Sequence, residues 1–457
     1  MSLVIIRWRR ATMDERPSST VDANVDETPV DACVGVDARA PNPAWTPAPW
    51  ASISTSKRPR PTTSRLGLGL PPRRARAIAE DARGDATVDG DVDVDVDTDA
   101  EDDDEGEDDD VAAADVEARH WRECFRRCSD VDAGTTRGTF RVYSNDAIEP
   151  SSREEEEVDA APSPPPVCFL LHGCPHTALS WGSFAEEFER RAKEDPSSIC
   201  ARVDVVAMDL RGHGESRCDE DSEPTFDPDV MARDAFETLR AYVATLRDGG
   251  ERARRVVVVG HSMGGAIATR VATLVESGDQ SSTTLAGLVL IDIVEGSALR
   301  ALPAMGAMVD ARPTEFSSLR DAMRWSATRG GGTTNARSAA LSLPSQLRRE
   351  DAEDGRRRYV WRTDVRATAP FWRAWYEGLS RKFLAVRAAK LLVLAGNDRL
   401  DTELTVAQMQ GKFQLVLLPR AGHAVHEDAP EETATALENF FARYVLNVRP
   451  TPPPFVV

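Results

Sequence analysis

The stretch Arg255-Val-Val-Val-Val-Gly-His-Ser262-Met-Gly-Gly-Ala-Ile-Ala-Thr269 joins an apolar run to an alanine-rich helical pattern through a glycine-rich corner that holds one serine. Four consecutive valines favour a strand buried on both faces, and the residues from Ala266 to Val275 favour a helix. A sharp strand-to-helix turn puts the serine in a strained backbone conformation. Gly260 and Gly264, lacking Cβ atoms, let the neighbouring chain pass close to it. The Ser262 hydroxyl is thereby lifted above the sheet, where the amide-rich start of the helix can stabilise negative charge. The pattern predicts a nucleophile elbow. The alternative is a tight structural turn with an idle serine.

Short apolar runs alternate with helical patterns on either side of this corner: Val167 to Leu171, Val203 to Leu210, Leu285 to Asp292, Leu391 to Ala395 and Phe413 to Leu418. An earlier strand is predicted at Gly138-Thr-Phe-Arg-Val-Tyr143, after a helically spaced segment with His120, Trp121, Cys124 and Phe125. Continuous apolar strands separated by helices indicate an α/β fold with a mostly parallel central sheet and flanking helices. Sites in such sheets gather at the carboxyl ends of the strands.

Those ends carry chemistry. Leu171-His-Gly-Cys-Pro-His176 follows the strand at 167–171. Two backbone N–H groups are needed to hold an oxyanion, and the residue after the nucleophile, Met263, supplies one. Cys174 is the second candidate, because Pro175 has no N–H. Pro175 is a candidate for a cis peptide, and His172 is expected to pack under the loop. In Asp209-Leu-Arg-Gly-His-Gly-Glu-Ser216, Asp209 and Arg211 are expected to bond loop backbone, with His213 a candidate to border the site. Two acids follow later strands, Asp292 and Asp398, and either preserves the order serine, acid, histidine. Spacing does not choose between them. His423, directly after Gly422 in the loop behind the last strand, is the favoured base, with His426 the second candidate. The segment 294–389 reads as an insertion rich in helix formers and in tryptophan (Trp325, Trp361, Trp372, Trp375) and is expected to form a lid and recognition surface, each tryptophan serving either pocket or core.

Composition bears on the ends of the chain. Eighteen acidic residues between Asp85 and Glu117, with no lysine or arginine, supply most of the formal charge of −20. Lys57 to Arg76 is basic, and the whole of 1–117 is too charged and too poor in aromatics to bury a core, so a disordered extension is expected. Lys57-Arg-Pro-Arg60 reads as a nuclear import signal or as part of a solvated basic patch that pairs with the acidic run. The folded region is expected over 118–447, followed by a Pro-rich tail at 448–457. Seven cysteines without paired spacing favour reduced thiols. No metal or cofactor motif is present, no stretch reaches a membrane-spanning length, and neither nucleic acid nor membrane is expected as a partner. A soluble monomer, cytoplasmic or nuclear, is the expectation.

Several longer motifs carry a resemblance: His172-Gly with Ala178-Leu-Ser-Trp181, Gly260-His-Ser-Met-Gly-Gly-Ala-Ile-Ala268, Ile291-Asp-Ile-Val-Glu-Gly296, Tyr359-Val-Trp-Arg362, Glu377-Gly-Leu-Ser380, Gln408-Met-Gln-Gly-Lys-Phe-Gln414 and Gly422-His-Ala-Val-His-Glu-Asp-Ala-Pro430. From about Gly138 to Tyr444 the sequence resembles the protein phosphatase methylesterases, α/β-hydrolases that remove the methyl ester from the C-terminal leucine of the protein phosphatase 2A catalytic subunit. The resemblance implies a triad of Ser262, Asp292 and His423, with Asp398 the alternative acid, and no cofactor. It also implies an acyl-enzyme route, and the methylated phosphatase tail as substrate and partner. Two features depart from the family pattern. His-Gly-Cys-Pro stands where His-Gly-Gly-Gly is usual, and the link from Arg348 to Arg358 is short where family members can carry an acidic insert. Two other functions fit the same residues, a non-catalytic phosphatase-binding regulator and a small-molecule serine carboxylesterase.

Overall fold

The computed structural model describes residues 117–134, 138–148, 163–218, 225–246, 253–329, 332–351, 356–396 and 400–448. Apart from Glu117 and Val448, the expected N-terminal extension and C-terminal tail lie outside these residues.

The strands are β1 (Arg127–Asp132), β2 (Gly138–Asn145), β3 (Val167–Leu171), β4 (Asp204–Met208), β5 (Arg217–Cys218), β6 (Arg254–His261), β7 (Thr283–Ile291), β8 (Glu315–Phe316), β9 (Leu347–Asp351), β10 (Arg357–Trp361), β11 (Ala389–Leu394) and β12 (Gln414–Leu417). The central sheet runs in the order β1-β2-β4-β3-β6-β7-β11-β12, with β5 paired to β2. From β4 to β12 every pairing is parallel, and β1 and β2 run antiparallel at one edge. The sequence reading thus gains β1, whose residues are exposed or half-buried except Val131, so that no apolar alternation marked it. The helical spacing near Trp121 resolves instead into a single 3-10 turn, Trp121–Glu123.

Alternation along the inner strands splits the core in two. Val167, Phe169, Leu171, Val256 and Val258 face one layer, and Cys168, Leu170, Val257 and Val259 face the other. Helices α1 (Gly182–Glu194), α2 (Pro228–Ala244) and α3 (Met263–Ser277) sit on these faces, α2 and α3 on the first and α1 on the second. Burial of both strand faces explains why the apolar runs are continuous. Helix α2 starts where Asp227 accepts hydrogen bonds from the Asp229 and Val230 amides, with Pro228 at its first position.

Between β7 and β11 lie α4 (Glu295–Asp310), α5 (Leu319–Arg329), α6 (Ala336–Ser345), α7 (Trp372–Tyr376) and α8 (Leu379–Ala385). The insertion also holds an antiparallel sheet, β8-β10-β9, that helix-forming composition did not foretell. Its strands are charged, and Arg358 on β10 pairs across the sheet with Glu350 at 2.9 Å and Glu315 at 3.1 Å. Phe316, Ala322, Leu343 and Leu347 make a small separate core against which Trp325 and Trp361 pack. Trp372 and Trp375 belong to the main core, their indole N–H groups donating to Thr368 Oγ1 and to the Phe226 carbonyl. All four tryptophans therefore pack structurally. Helix α9 (Thr402–Met409) precedes β12, and α10 (Val425–Asp428) and α11 (Pro430–Phe440) follow the loop that carries His423, with a π-helical turn at Phe441–Val445 behind them.

Candidate active site

Strand β6 ends at His261, Ser262 follows with φ 51° and ψ −120°, and α3 begins at Met263. The two glycines around the serine are steric necessities. A Cβ on Gly260 would stand 2.2 Å from the Gly264 carbonyl oxygen, and one on Gly264 would stand 2.4 Å from the carbonyl oxygens of Leu171 and His172. The strained φ of Ser262 and these close approaches are the two halves of one turn.

At the neighbouring strand end, Asp292 also has a positive φ, 48°. Its backbone N–H donates to the Val393 carbonyl at 2.8 Å, which locks the turn onto β11. Asp292 Oδ1 accepts from the Ala395 amide at 3.0 Å, and Oδ2 accepts from His423 Nδ1 at 2.8 Å. With its Nδ1 proton so engaged, the imidazole offers the Nε2 lone pair to the Ser262 hydroxyl at 3.0 Å. Asp398 lies outside the described residues. A buried carboxylate, an oriented imidazole and a hydroxyl in series can deliver an alkoxide-like nucleophile and return the proton to a leaving group.

Two supports of this series escaped the sequence reading. His261 donates from Nε2 to the His423 carbonyl at 2.9 Å, its ring 4.8 Å from that of His423. Asp428 accepts from the Gly422 amide at 2.7 Å and, through its other oxygen, from Thr333 Oγ1 at 2.8 Å and the Thr334 amide at 2.6 Å. The loop bearing His423 is thus tied to the elbow on one side and to the insertion on the other. The place of His261, directly before the nucleophile, was the available signal.

Facing Ser262 is the loop after β3. The Cys174–Pro175 peptide is cis. Among the described residues neither the Cys174 nor the Met263 backbone N–H donates to a protein acceptor. Burial pushes the Cys174 thiol up to about 12, so the side chain stays a neutral thiol and only the amide is chemically useful. A residue at Gly173 with a Cβ would come within 2.7 Å of His261 Nδ1 and 3.1 Å of Ser262 Cβ. Tyr376, buried on α7, brings its hydroxyl toward that of Ser262, with burial raising its pKa.

The remaining candidates separate cleanly. His172 is buried, accepts from the Leu210 amide at Nε2 (3.0 Å) and donates from Nδ1 to the Gly173 carbonyl (2.9 Å), so it packs as expected. Asp209 accepts from the Ala178 and Glu215 amides at 2.7 and 2.8 Å, as expected. The Arg211 guanidinium makes a two-pronged pair with Asp234 on α2, 2.5 and 2.8 Å, which gives the buried cation its counter-charge. His213 is buried, with Nδ1 against the Arg211 carbonyl at 2.9 Å. His426 is fully buried, its ring 4.1 Å from Trp181 and 4.6 Å from His261, and its ring nitrogens make no hydrogen bond among the described residues. It packs in the core.

This concentration of buried imidazoles sets an acid limit on the fold. Burial is the largest cause lowering the proton affinities of His172, His176 (to about 3), His213 (to about 4), His261 and His426. The unfolded chain therefore binds more protons than the folded one once pH falls below about 6.5, and each such histidine removes about 1.4 kcal/mol per further pH unit until its folded value is reached. Burial acts oppositely on carboxyls. Glu427 is raised to about 8, and Asp204 and Asp209 to about 6, so the folded state gains from their protons as pH falls. At pH 6 the five imidazoles, about three-quarters protonated in the unfolded chain, still outnumber the roughly two protons that Glu427, Asp204 and Asp209 hold in the folded one, and stability falls. Thermal unfolding from pH 7 to 5 should show a steadily decreasing Tm. A flat Tm would mean that the buried rings take up protons within the native state.

Among the described residues no group of three or more His, Cys, Asp or Glu could hold a metal ion, and no helix is long and apolar enough to cross a membrane. The six described cysteines are free thiols.

Residues 168–436 match the Alpha/beta hydrolase family. The probable protein phosphatase methylesterase 1 of Caenorhabditis elegans is 39% identical over 279 residues, 61% of this chain and 70% of that protein. Protein phosphatase methylesterase 1 of Aspergillus fumigatus is 40% identical over 282 residues, 61% and 64% of the two chains. That of Mus musculus is 35% identical over 368 residues, 71% and 84% of the two. With its sheet order, its elbow serine and these relatives, the chain belongs to the α/β-hydrolases and, within them, to the protein phosphatase methylesterase family.

Proposed function

We propose that this chain hydrolyses the C-terminal leucine methyl ester of a protein phosphatase 2A catalytic subunit. The observation that carries the reading is the hydrogen-bonded series Ser262–His423–Asp292, at 3.0 and 2.8 Å, on a strained elbow in a chain whose relatives are named methylesterases. Ser262 Oγ attacks the ester carbonyl as His423 Nε2 takes its proton, and Asp292 holds the imidazole and balances the charge it gains. The amides of Met263 and Cys174 receive the oxyanion. His423 then protonates the departing methoxide, releasing methanol and leaving the leucine acyl group on Ser262. Water, deprotonated by His423, attacks the acyl-enzyme; Ser262 leaves with the proton and the product is a free carboxylate. The insertion over 294–389 serves as lid and recognition surface, and the chain acts as a monomer on one phosphatase tail.

The test compares three substrates at equal concentration: the whole methylated phosphatase, its methylated tail peptide and a small uncharged ester. Methyl release from the whole phosphatase at the highest kcat/KM supports the reading. Turnover of the small ester with no methyl release from either phosphatase substrate would leave a small-molecule esterase instead.

A further inference from the structure

Arg312 follows α4 in the insertion, and its guanidinium carbon lies 3.8 Å above the centre of the Trp361 ring. That ring is itself fixed. Its indole N–H donates to the Pro313 carbonyl at 2.7 Å, and it packs edge-on against Phe316 and Trp325. Asp310, two residues before Arg312, pairs with Arg366 at 2.7 Å, and the Arg312 charge acts on Cys174 and His176 in the loop that faces Ser262. Burial lowers its own proton affinity, so part of its hydration has been removed.

A desolvated guanidinium ordinarily has a carboxylate to compensate for lost water. The buried arginines obey this rule: Arg211 pairs with Asp234, Arg254 with Asp204 and Arg270 with Asp229, and half-buried Arg312 departs from it. Among the described residues Arg312 has no ion pair, and its guanidinium stacks on the indole face of Trp361. Stacking leaves the planar fork of N–H donors free for a planar anion.

Building on the methylesterase reading above, we propose that Arg312 is a specificity residue that binds a carboxylate side chain, Asp or Glu, lying a few residues upstream of the methyl-esterified terminus. The scissile group cannot be what it recognises, because a methyl ester carries no charge. The carboxylate therefore belongs to the body of the tail, and Arg312 selects acidic tails over neutral or basic ones while contributing nothing to the chemical step.

The test uses peptides ending in leucine methyl ester that carry Asp, Asn or Lys at each of the second to fifth positions from the end. Binding is read by fluorescence anisotropy in the Ser262→Ala background, and methyl release is counted in parallel with Ser262 present. With Arg312 the Asp peptides should bind roughly tenfold or more tighter than the Asn peptides at one position, and less so at high salt. Arg312→Gln should erase that preference while leaving Asn-peptide binding and kcat unchanged, and Arg312→Glu should transfer it to the Lys peptide at the same position. Such a transfer cannot arise from a misfolded variant. Equal binding of Asp, Asn and Lys peptides to the Arg312 protein, or equal loss for all peptides in Arg312→Gln, would overturn the proposal. Asp-selective binding without methyl release would sink the methylesterase reading and leave the role of Arg312 standing.

Discussion

Replacing Ser262 with alanine should lower the turnover number for methyl release by roughly a millionfold, the scale at which a lost nucleophile leaves only binding and oxyanion stabilisation. Ser262 Oγ lies 3.0 Å from His423 Nε2. In the alanine variant a water has to take its place, without the covalent intermediate that divides the reaction in two. The substitution has little structural consequence. Alanine bears the same Cβ as serine, so the cost of the left-handed φ of 51° is unchanged, and the hydroxyl contributes nothing to the packing of Gly260 against Gly264. The melting temperature should therefore stay near that of the parent while methyl release and fluorophosphonate labelling both vanish. Methyl release at a comparable rate from a well-folded Ser262→Ala protein would remove Ser262 from the mechanism.

Much of this site is legible in the sequence, for physical reasons that also set the limit of that legibility. The elbow was legible because a buried strand, two glycines and an alanine-rich helix leave a serine few alternatives. His423 was legible from its glycine-flanked loop behind the last strand. The supporting contacts were not. That His261 holds the His423 carbonyl depends on a separation of 162 residues, and that Asp428 ties Gly422 to Thr333 depends on where the insertion returns to the sheet. Edge strand β1 and the small sheet β8-β10-β9 carry charged residues that give no period-two signal, and their existence rests on partners far along the chain. The tryptophans illustrate the converse, since an aromatic looks alike in sequence whether it lines a pocket or fills a core. Arg211 and Arg312 make the same point for charge. One has Asp234 waiting on a helix and the other has an indole, and nothing local distinguishes them.

Asp292→Asn should reduce the turnover number by roughly ten-thousandfold, and the reason lies in how the residue is held. Its Oδ1 is committed to the Ala395 amide at 3.0 Å, so in an asparagine the amide oxygen keeps that acceptor position and the NH2 group is turned toward His423. An N–H facing Nδ1 stabilises the tautomer with its proton on Nε2. That proton then points at Ser262 Oγ, and the imidazole can no longer accept from the hydroxyl it must deprotonate. Substrate binding is untouched, so KM should hold while kcat falls. The register of β7 against β11, which pairs Ile291 with Val393, is what aims Asp292 at the imidazole. Asp398→Asn measured beside it decides between the two acids that spacing left open. Retained turnover there, with loss in Asp292→Asn, assigns the acid to Asp292. Full activity in Asp292→Asn together with loss in Asp398→Asn would reverse the assignment and leave the 2.8 Å contact to His423 without a catalytic role.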